Sequence, residues 1–490
     1  EGLPEELQKI FPVSEPGKFR FKAAWENSTH PLAAELPLAQ MPLTRFLRYH
    51  VDTNVIASAD GSPILAEAAF GKGKIFLATW ETKRPNPKKG LYNTASTFML
   101  PLQFDEQPDI CHKYYEYQYA LFGRMVQAAA GLDSGVSATI TATVNATKVT
   151  IKASKNCEAD VRLTLRNKYS EEFASASKKI SLSANAVSEV SFEYPEPDLT
   201  GQNFADIVIT QGNDGALWWG AAVFHADRPA IKAMQMEDRV YRPEENVQGT
   251  VVADGKIVVT LLDTFGNALA KSEGQQFSFP LAGVRTPNAR LLVELLSDNG
   301  KVWDKISRRI EKYSPPDPRV FNISFGWPSY SSLAPAYLIN DILRLDREQY
   351  GITVASTTSS QVDRPFVQNA IRDNGIRYHH LPTNAGIGGK RPYDANKKIN
   401  SKFDLIRIPC ISEAGIEERL FEEAKKPSWS AKYGALNVGG PDEANMFSDF
   451  DGCFCENCQK ALVEYLKTEY PSLAALNQAW ETSFASWDKV

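Results

Sequence analysis

The chain has 490 residues, of which 43% are apolar, 30 are Gly and 29 are Pro. At about 100 to 200 residues per domain, this length predicts several globular domains, and the composition excludes disordered and collagen-like proteins. The formal net charge is −5, and the chain has no long basic run, which excludes the electrostatic footprint of a nucleic-acid binder. The longest apolar stretch, residues 215–224, is shorter than the roughly 18 residues of a membrane-spanning helix. We therefore expect neutral substrates, no nucleic-acid partner and no membrane partner.

The sequence starts at Glu1, without Met and without an export signal. We therefore expect a fragment of a longer, bacterial-type protein whose location, cytoplasmic or exported, is left open. Association with further copies of the chain is left open as well.

Residues 1–132 mix strand-like runs with one helical stretch at 114–130. Tyr115, Tyr119, Phe122 and Val126 recur at steps of three and four, which predicts one apolar helix face. We expect an α/β layer in this region, with strands at 54–58, 64–70 and 74–79.

The glycine-rich turn at 71–74 and the apolar run at 75–78 resemble a late hairpin of class I glutamine-amidotransferase-like domains. The resemblance implies that residues 1–132 are the C-terminal part of such an α/β domain. Glutamine hydrolysis needs a Cys nucleophile activated by His, whereas the strand here ends at Trp80 and Glu81 without the family's His-Pro-Glu. We expect a structural role and no amidotransferase activity.

Two β-sandwiches are predicted for residues 133–226 and 227–313. Short runs of alternating polar and apolar residues recur there at intervals of about 8 to 12 residues, which is typical of this fold. Trp218, Trp219 and Trp303 could stack on sugar rings. Aromatic residues in sandwiches more often belong to the core, so core packing is the favoured interpretation.

A proline-rich linker at 313–318 precedes a change of pattern. Strand-like and helical runs then alternate over residues 319–490, which predicts parallel βα units. Four such units correspond to the first half of a (β/α)₈ barrel, whose active site lies at the carboxyl ends of the strands. The expected fold class is therefore multidomain, α/β plus all-β.

Chemistry-bearing residues follow the predicted barrel strands. Asp442 and Glu443 come directly after the fourth strand, where a barrel exposes catalytic groups. Either they serve catalysis, or they only cap the next segment. Trp327 after the first strand and His380 at the end of the third, with its neighbour His379, are candidates to line a sugar pocket, with packing as the alternative.

Three of the six cysteines, Cys453, Cys455 and Cys458, lie within six residues. Disulfides between such close neighbours are sterically awkward, whereas zinc takes four sulfur or nitrogen ligands tetrahedrally. Cys111 and Cys157 belong to other predicted domains, which leaves Cys410 as the fourth ligand. The pattern favours a structural zinc ion over redox-active thiols.

Residues 319–490 resemble glycoside hydrolase family 42, the β-galactosidases of clan A. The resemblance rests on Asp442-Glu443, the C-x-C-x-x-C run and the stretch Leu473 to Phe484, in which Trp480 is expected to be core. It implies that Glu443 is the acid/base and that Cys410, Cys453, Cys455 and Cys458 bind zinc. The family usually has Asn where this chain has Asp442. A carboxylate at this position replaces the neutral contact to a sugar hydroxyl, so galactose specificity is less strongly implied.

The resemblance also implies a function and a substrate. A retaining glycosidase needs a second carboxylate about 5 Å from the acid, and the family's nucleophile Glu is expected beyond Val490. The sequence thus predicts part of a hydrolase of β-linked oligo- or polysaccharides, inactive as this fragment alone. The alternative is a non-catalytic carbohydrate-binding or scaffold protein that retains the zinc-bearing barrel.

Overall fold

The computed structural model describes residues 13–14, 19–47, 50–51, 54–81, 114–212, 215–315, 321–325, 336–358, 365–381, 412, 414–418, 422, 437–438 and 454–490. The chain divides into two compact units. One comprises Glu1–Lys312, Ser329–Tyr350 and Arg364–Gly375, and the other comprises Tyr313–Pro328, Gly351–Asp363 and Ile376–Val490. The described chain is mostly β-strand, in several sheets, with few helices. Within these residues, no helix combines the length and the apolar composition needed to cross a membrane.

The N-terminal strands are β1 (Val13–Ser14), β2 (Phe19–Ala24), β3 (Pro42–Leu47), β4 (His50–Val51), β5 (Val55–Ala59), β6 (Ser62–Phe70), β7 (Gly73–Ala78) and β8 (Trp80–Glu81). They form the sheets β1-β4, β2-β3-β8 and β5-β6-β7. Helix α1, Tyr115–Ala129, follows them, and a 3₁₀ turn spans Leu38–Gln40. Tyr117 and Leu121 of α1 share one buried core with Ile56 and Ile64. This core joins the helix to the sheet β5-β6-β7.

The expected α/β layer is wrong for the described part of this region, where all strand pairs are antiparallel. Tight turns connect β5 to β6 and β6 to β7. Asp60 and Gly61 both have positive φ, 46° and 69°, as a two-residue hairpin turn requires. Such turns return the chain at once, whereas parallel pairing needs a long crossover. This part is therefore α+β, and the amidotransferase-like resemblance gains no support from it.

The first sandwich contains β9 (Val136–Ala142), β10 (Ala146–Ala153), β11 (Cys157–Asn167), β12 (Glu172–Leu182), β13 (Val187–Glu193), β14 (Gly201–Thr210) and β15 (Ala216–Ala226). The sheet β13-β10-β9 and the sheet β12-β11-β14-β15 share one core. Val149 and Ile151 enter this core from one sheet, and Val161 and Leu163 from the other. The inner and outer residues alternate as the sequence pattern predicts.

The second sandwich repeats this plan with β16 (Ala233–Met236), β17 (Asn246–Val252), β18 (Lys256–Asp263), β19 (Ala268–Glu273), β20 (Gln276–Pro280), β21 (Asn288–Leu296) and β22 (Val302–Glu311). Its sheets have the orders β16-β17-β20 and β19-β18-β21-β22. Val247 and Phe277 of the first sheet share a buried core with Val259 and Leu291 of the second. Each sandwich is thus a three-stranded sheet packed on a four-stranded one.

Helix α1 meets the outer face of the first sandwich at a buried carboxylate. Asp206 on β14 is 4% exposed and accepts a hydrogen bond of 2.8 Å from the Tyr117 hydroxyl. The Arg166 guanidinium lies 3.5 Å from Asp206 and also pairs with Glu116. Burial raises the pKa of Asp206 to about 6, although Arg166 and Tyr117 both act to lower it.

Two helices follow the second sandwich in the sequence, α2 at Ala336–Tyr350 and α3 at Pro365–Asp373. Helix α3 is attached to the second sandwich by an arrangement that differs from that of α1. Asp373, the last residue of α3, accepts hydrogen bonds of 2.8 and 3.1 Å from Arg309 Nε on β22 and one of 3.0 Å from Asn288 Nδ2. Burial acts to raise the pKa of Asp373, but the hydrogen bonds and charge of Arg309 outweigh burial and lower it.

Four short strands in the C-terminal part form a parallel sheet in chain order. They are β23 (Ser324–Phe325), β24 (Val354–Thr358), β25 (Arg377–Leu381) and β26 (Asn437–Val438). Helix α2 lies between β23 and β24 in the sequence, and α3 lies between β24 and β25. Parallel strands joined through helices are what the alternating pattern predicts. Closure of these strands into a barrel stays a prediction.

The chain ends in two consecutive helices, α4 (Glu456–Glu469) and α5 (Leu473–Trp480), and a 3₁₀ turn at Trp487–Lys489. Leu466 of α4 is 4% exposed and Leu476 of α5 is fully buried. Each helix therefore buries a single leucine deeply, and most of their other residues are accessible.

Candidate functional site

The carboxyl ends of the parallel strands form the edge at which catalytic residues are expected. Strands β23 to β26 end at Phe325, Thr358, Leu381 and Val438. Because the strands are parallel, these ends share one edge of the sheet, and α/β proteins place their ligands there. The register pairs His380 with Val438. The backbone of this predicted pocket residue therefore lies beside the end of β26.

Most of the predicted site residues lie outside the described residues. These are Trp327, Cys410, Asp442, Glu443 and Cys453, and the side chain of His380 belongs with them. In the sequence, Trp327 comes soon after the end of β23, and Glu443 comes soon after the end of β26. The pocket and catalytic roles of these residues stay predictions.

Two of the predicted zinc ligands are described at the start of α4. Cys455 is the N-cap residue, with φ −71° and ψ 160°, and its Sγ accepts the backbone N–H of Cys458 at 3.4 Å. The thiol thus takes the capping position usually held by Ser, Thr, Asp or Asn. Gln459 Nε2 donates to the Phe454 carbonyl oxygen at 2.9 Å, which fixes the residue next to Cys455. The C-x-x-C spacing is thereby built into the first turn of the helix.

A second segment of the chain reaches this cysteine loop. The sulfur of Cys458 lies 3.4 Å from the hydroxyl oxygen of Ser412. Ser412 follows Cys410 closely in the sequence, so the contact joins the loop to the segment after the fourth predicted ligand. Ser412 is not among the site residues predicted from the sequence, and its position two residues after Cys410 is the signal that could have found it.

The described part of the cysteine loop fits a thiolate-bound metal. Cys455 and Cys458 are both partly buried, and neither forms a disulfide with another described cysteine. Sulfur ligands from one loop suit zinc, which prefers a tetrahedral sulfur and nitrogen set. Among the described residues alone, no group of three or more His, Cys, Asp or Glu side chains could hold a metal. A complete centre would therefore need Cys410 and Cys453.

The run from Ser472 to Phe484 has a structural explanation. Ser472 caps α5 by accepting the backbone N–H of Ala475 at 3.2 Å. Asn477 Oδ1 accepts the backbone N–H of Phe484 at 2.9 Å and the hydroxyl of Thr482 at 3.1 Å, while its Nδ2 donates to the Phe484 carbonyl at 2.9 Å. Asn477 thus holds the chain that leaves the helix. The residues of this motif shape the loop and need not contact a substrate.

The prediction that Trp480 is core is wrong. Trp480 is exposed, with a relative accessibility of 43%, and its indole Nε1 donates a hydrogen bond of 3.0 Å to the Tyr470 hydroxyl. The two rings meet edge to face at 6.3 Å. Trp480 is the last residue of α5, and Glu481 after it is left-handed with φ 53°. Leu476 is buried, whereas Trp480, about one turn later, packs on Tyr470 at the exposed end of the helix.

Trp218 and Trp219 are packed residues, as the favoured interpretation holds. Trp218 packs against the core of the first sandwich and Trp219 against the core around α1. The Arg124 guanidinium lies 5.7 Å from the Trp218 ring centroid and donates to the Trp219 carbonyl oxygen. The guanidinium covers part of the Trp218 ring, while both tryptophans also line a pocket of about 460 Å³. Stacking on sugar rings therefore stays the alternative interpretation.

A comparison with known families finds a match at the C-terminal end of the sequence. Residues 443–490 match the family model Glyco_hydro_42, Beta-galactosidase. The match begins at Glu443, the predicted acid/base, and includes the cysteines of α4, Asn477 and Trp480. No curated protein matches the chain.

Solved structures of the β-glucuronidase from Ruminococcus gnavus also match, including the complex with D-glucuronic acid and the unliganded enzyme. Both are 12% identical with a TM-score of 0.20, over 49% of this chain and 50% and 49% of those chains. The chain thus spans about half the length of these structures. The family match, which starts just beyond β26, supports a glycoside hydrolase in general.

Proposed function

We propose that the chain is part of a retaining glycoside hydrolase that acts on β-linked sugars in the manner of a β-galactosidase. The observation that carries this proposal is the match of residues 443–490 to the β-galactosidase family model. The parallel order of β23 to β26 supports it, because β26 ends shortly before Glu443 at the edge where such enzymes keep their carboxylates.

Glu443 is the proposed general acid/base. A retaining enzyme protonates the leaving oxygen with one carboxyl while a second carboxylate, about 5 Å away, attacks the anomeric carbon. Successive residues of a strand point in different directions, so Asp442 is not proposed as that second group. A negative charge beside Glu443 favours its protonated form, which a general acid requires. The nucleophile is proposed to lie outside residues 1–490.

Asp442, Trp327 and His380 are the proposed substrate contacts. His380 lies on β25 with its backbone beside the end of β26, and Trp327 follows the end of β23. The aromatic ring would stack on a sugar face, and the imidazole and the carboxylate would hydrogen-bond to its hydroxyls. A neutral polyhydroxylated substrate suits this set.

The test is Glu443→Gln in the complete protein. The amide keeps the shape but removes the titrating proton, so hydrolysis of unactivated β-galactosides should fall at least about 100-fold. Aryl galactosides with good leaving groups should lose less in the first step, and azide should partly restore turnover by attacking the glycosyl-enzyme. Steady-state kinetics with both substrate types measure the difference.

Glu456→Gln is the matched control. Glu456 is an exposed residue of α4 whose partner is Lys460, 2.9 Å away, and removing such a surface pair has little effect. Wild-type turnover of an unactivated substrate by Glu443→Gln would overturn the assignment. A complete protein that binds sugars but hydrolyses none would instead establish the non-catalytic alternative.

A structural zinc ion bound by Cys410, Cys453, Cys455 and Cys458 completes the proposal. It is supported by the N–H to sulfur bond within the loop and by the contact of Cys458 with Ser412. Four thiolates leave no open position for an activated water, so the metal would hold the loop without taking part in hydrolysis.

Metal analysis tests the zinc assignment. Cys455→Ser should lose about one zinc per chain together with thermal stability, because metal binding and folding are coupled. Cys157→Ser is the control, since Cys157 is a partly buried cysteine of the first sandwich. Full zinc content in a Cys453→Ser, Cys455→Ser double variant would refute the assignment.

A further inference from the structure

The outer face of the first sandwich carries a groove that the proposed catalytic site does not use. The groove has a volume of about 720 Å³, within the range of ordinary ligand sites. It runs over β12, β11 and β14, and its lining includes Asp160, Arg162, Thr164, Ser177 and Thr210. Helix α1 contacts the same sheet farther along, at Asp206, so the groove is the part of this face left open.

The groove floor is an ordered row of polar groups. Asp160, Arg162 and Thr164 alternate along β11 and therefore point to the same face. The register places Thr210 opposite Asp160 on β14, and Ser177 opposite Arg162 on β12. The floor thus offers hydrogen-bond groups at intervals of roughly 5 to 7 Å, both along a strand and between neighbouring strands. The carboxylate accepts, the guanidinium donates, and the hydroxyls do both.

These groups have no partners within the part of the chain that the structure describes. Asp160 Oδ1 is buried and accepts no hydrogen bond. The side chains of Arg162, Thr164, Ser177 and Thr210 make none to the described residues either. A buried acceptor without a partner is rare and destabilising. Asp160 Oδ1 is such an acceptor, whereas Arg162 and Ser177 are exposed on the surface of the groove. A ligand that donates to Asp160 Oδ1 would satisfy this acceptor and would meet the exposed groups beside it.

The charges of the groove indicate a neutral ligand. Two carboxylates, Asp160 and Glu172, face two guanidinium groups, Arg162 and Arg166, so the lining has no net charge. Arg166 is already paired with Glu116. The apolar lining consists of small side chains, Ala176 and Val208, which suits neither an aromatic nor a lipid ligand.

We propose that this groove binds a stretch of neutral oligo- or polysaccharide, apart from the site of hydrolysis. Sugar hydroxyls donate and accept hydrogen bonds at short regular intervals, as the rows of β11 and β12 require. The run from Asp160 to Arg166 extends about 20 Å, which accommodates several sugar units. The inference rests on the proposed function only for the expectation that a glycan is present.

Affinity electrophoresis of the complete protein tests the groove, with soluble galactan, xylan or mixed-linkage glucan in native gels. At least one polysaccharide should retard the wild type. Arg162→Ala and Thr164→Val should each weaken the retardation constant about tenfold, the change expected for a lost hydrogen bond with a charged or buried group. Lys152→Ala, an exposed change on the other sheet of the same sandwich, should bind like the wild type.

The outcomes separate this inference from the proposed function. Glu443→Gln should keep the retardation while losing hydrolysis, and Arg162→Ala should keep the hydrolysis of a small aryl glycoside. Absence of retardation by all three polysaccharides overturns the inference, as does equal weakening by Lys152→Ala. Stronger retardation by polygalacturonate than by the neutral polymers overturns it too, since that would assign an acidic ligand.

Discussion

Helices α1 and α3 each meet the four-stranded sheet of a β-sandwich at a largely buried carboxylate, but the pKa of one is raised and that of the other is lowered. Asp206 accepts a hydrogen bond of 2.8 Å from the Tyr117 hydroxyl, and the nearest cation, Arg166, lies 3.5 Å away and also pairs with Glu116. Asp373 accepts hydrogen bonds from Arg309 at both of its carboxylate oxygens. The difference teaches that hydrogen-bonded charge, rather than burial alone, decides whether a buried carboxylate is stable in its ionised form.

Among substitutions at the two carboxylates and their partners, Asp373→Asn is expected to lower the free energy of unfolding most. The amide leaves the Arg309 guanidinium largely buried without its counter-charge, which should lower the free energy of unfolding by about 3 kcal/mol at pH 7. Urea denaturation followed by circular dichroism measures the loss. Asp341→Asn removes an exposed carboxylate from helix α2 and should change stability little. Equal effects of the two substitutions would show that the Arg309 pair contributes nothing special.

Tyr117→Phe tests the hydroxyl at the other junction. It removes the hydrogen bond to Asp206 and should cost about 1.5 kcal/mol at pH 7, as expected for a bond to a charged group. The pKa of Asp206 should rise further, because this hydrogen bond acts to lower it. Tyr119→Phe, an exposed change on the same helix, is the control. A stability unchanged by Tyr117→Phe would contradict the role of the hydroxyl.

Asp206→Asn tests the direction of the pKa shift. A pKa raised to about 6 means that the stabilising contribution is complete below about pH 4 and is lost as pH rises through 6. Between pH 7 and pH 5 the wild type should therefore gain about 1 kcal/mol from this group. Unfolding free energies at several pH values measure the gain, which the Asn variant should lack. Asp373, with its lowered pKa, should instead lose its contribution only as pH falls below about 4.

Glu116→Gln should have the smallest effect, about 0.5 kcal/mol, because the pair with Arg166 is partly exposed to solvent. The substitution frees Arg166 to act on Asp206 and removes a negative charge that raises the pKa of Asp206. The pH at which the contribution of Asp206 disappears should therefore move down. A midpoint that stays fixed in the unfolding series would show that Glu116 does not influence Asp206.

These junctions also show how far the sequence alone predicts the fold. Alternating residues placed the sandwich strands, and the helical period placed α1 within one residue at each end. Both patterns are local. The contact of Tyr117 with Asp206 joins residues 89 positions apart, and that of Arg309 with Asp373 joins residues 64 apart. No periodicity links such distant residues, so the attachment of the helices could not be predicted.

The N-terminal region was misjudged for a related reason. Strands and a helix in one region suggested an α/β layer, but turns such as Asp60-Gly61 decide how strands pair. In the candidate site, the cysteine spacing predicted a zinc-binding loop, which stays a prediction. The structure adds that Cys455 caps helix α4 and that Cys458 lies in its first turn. The contact of Cys458 with Ser412 could not be predicted, because it joins two segments that are 46 residues apart in the sequence.

Strand β12 has a consequence for the behaviour of the protein at high concentration. It ends the described sheet β12-β11-β14-β15, so one side of its backbone could accept a strand from another molecule and begin aggregation. Lys178 and Lys179 stand near the middle of this strand and are exposed. The Lys178 ammonium donates to the Ser191 carbonyl oxygen at 2.7 Å, and Lys179 lies on the other face of the strand. A second strand that paired along this edge would have to pack beside both positive charges. The lysine pair thus keeps the edge beside the groove accessible to solutes while opposing its use as a template for fibrils.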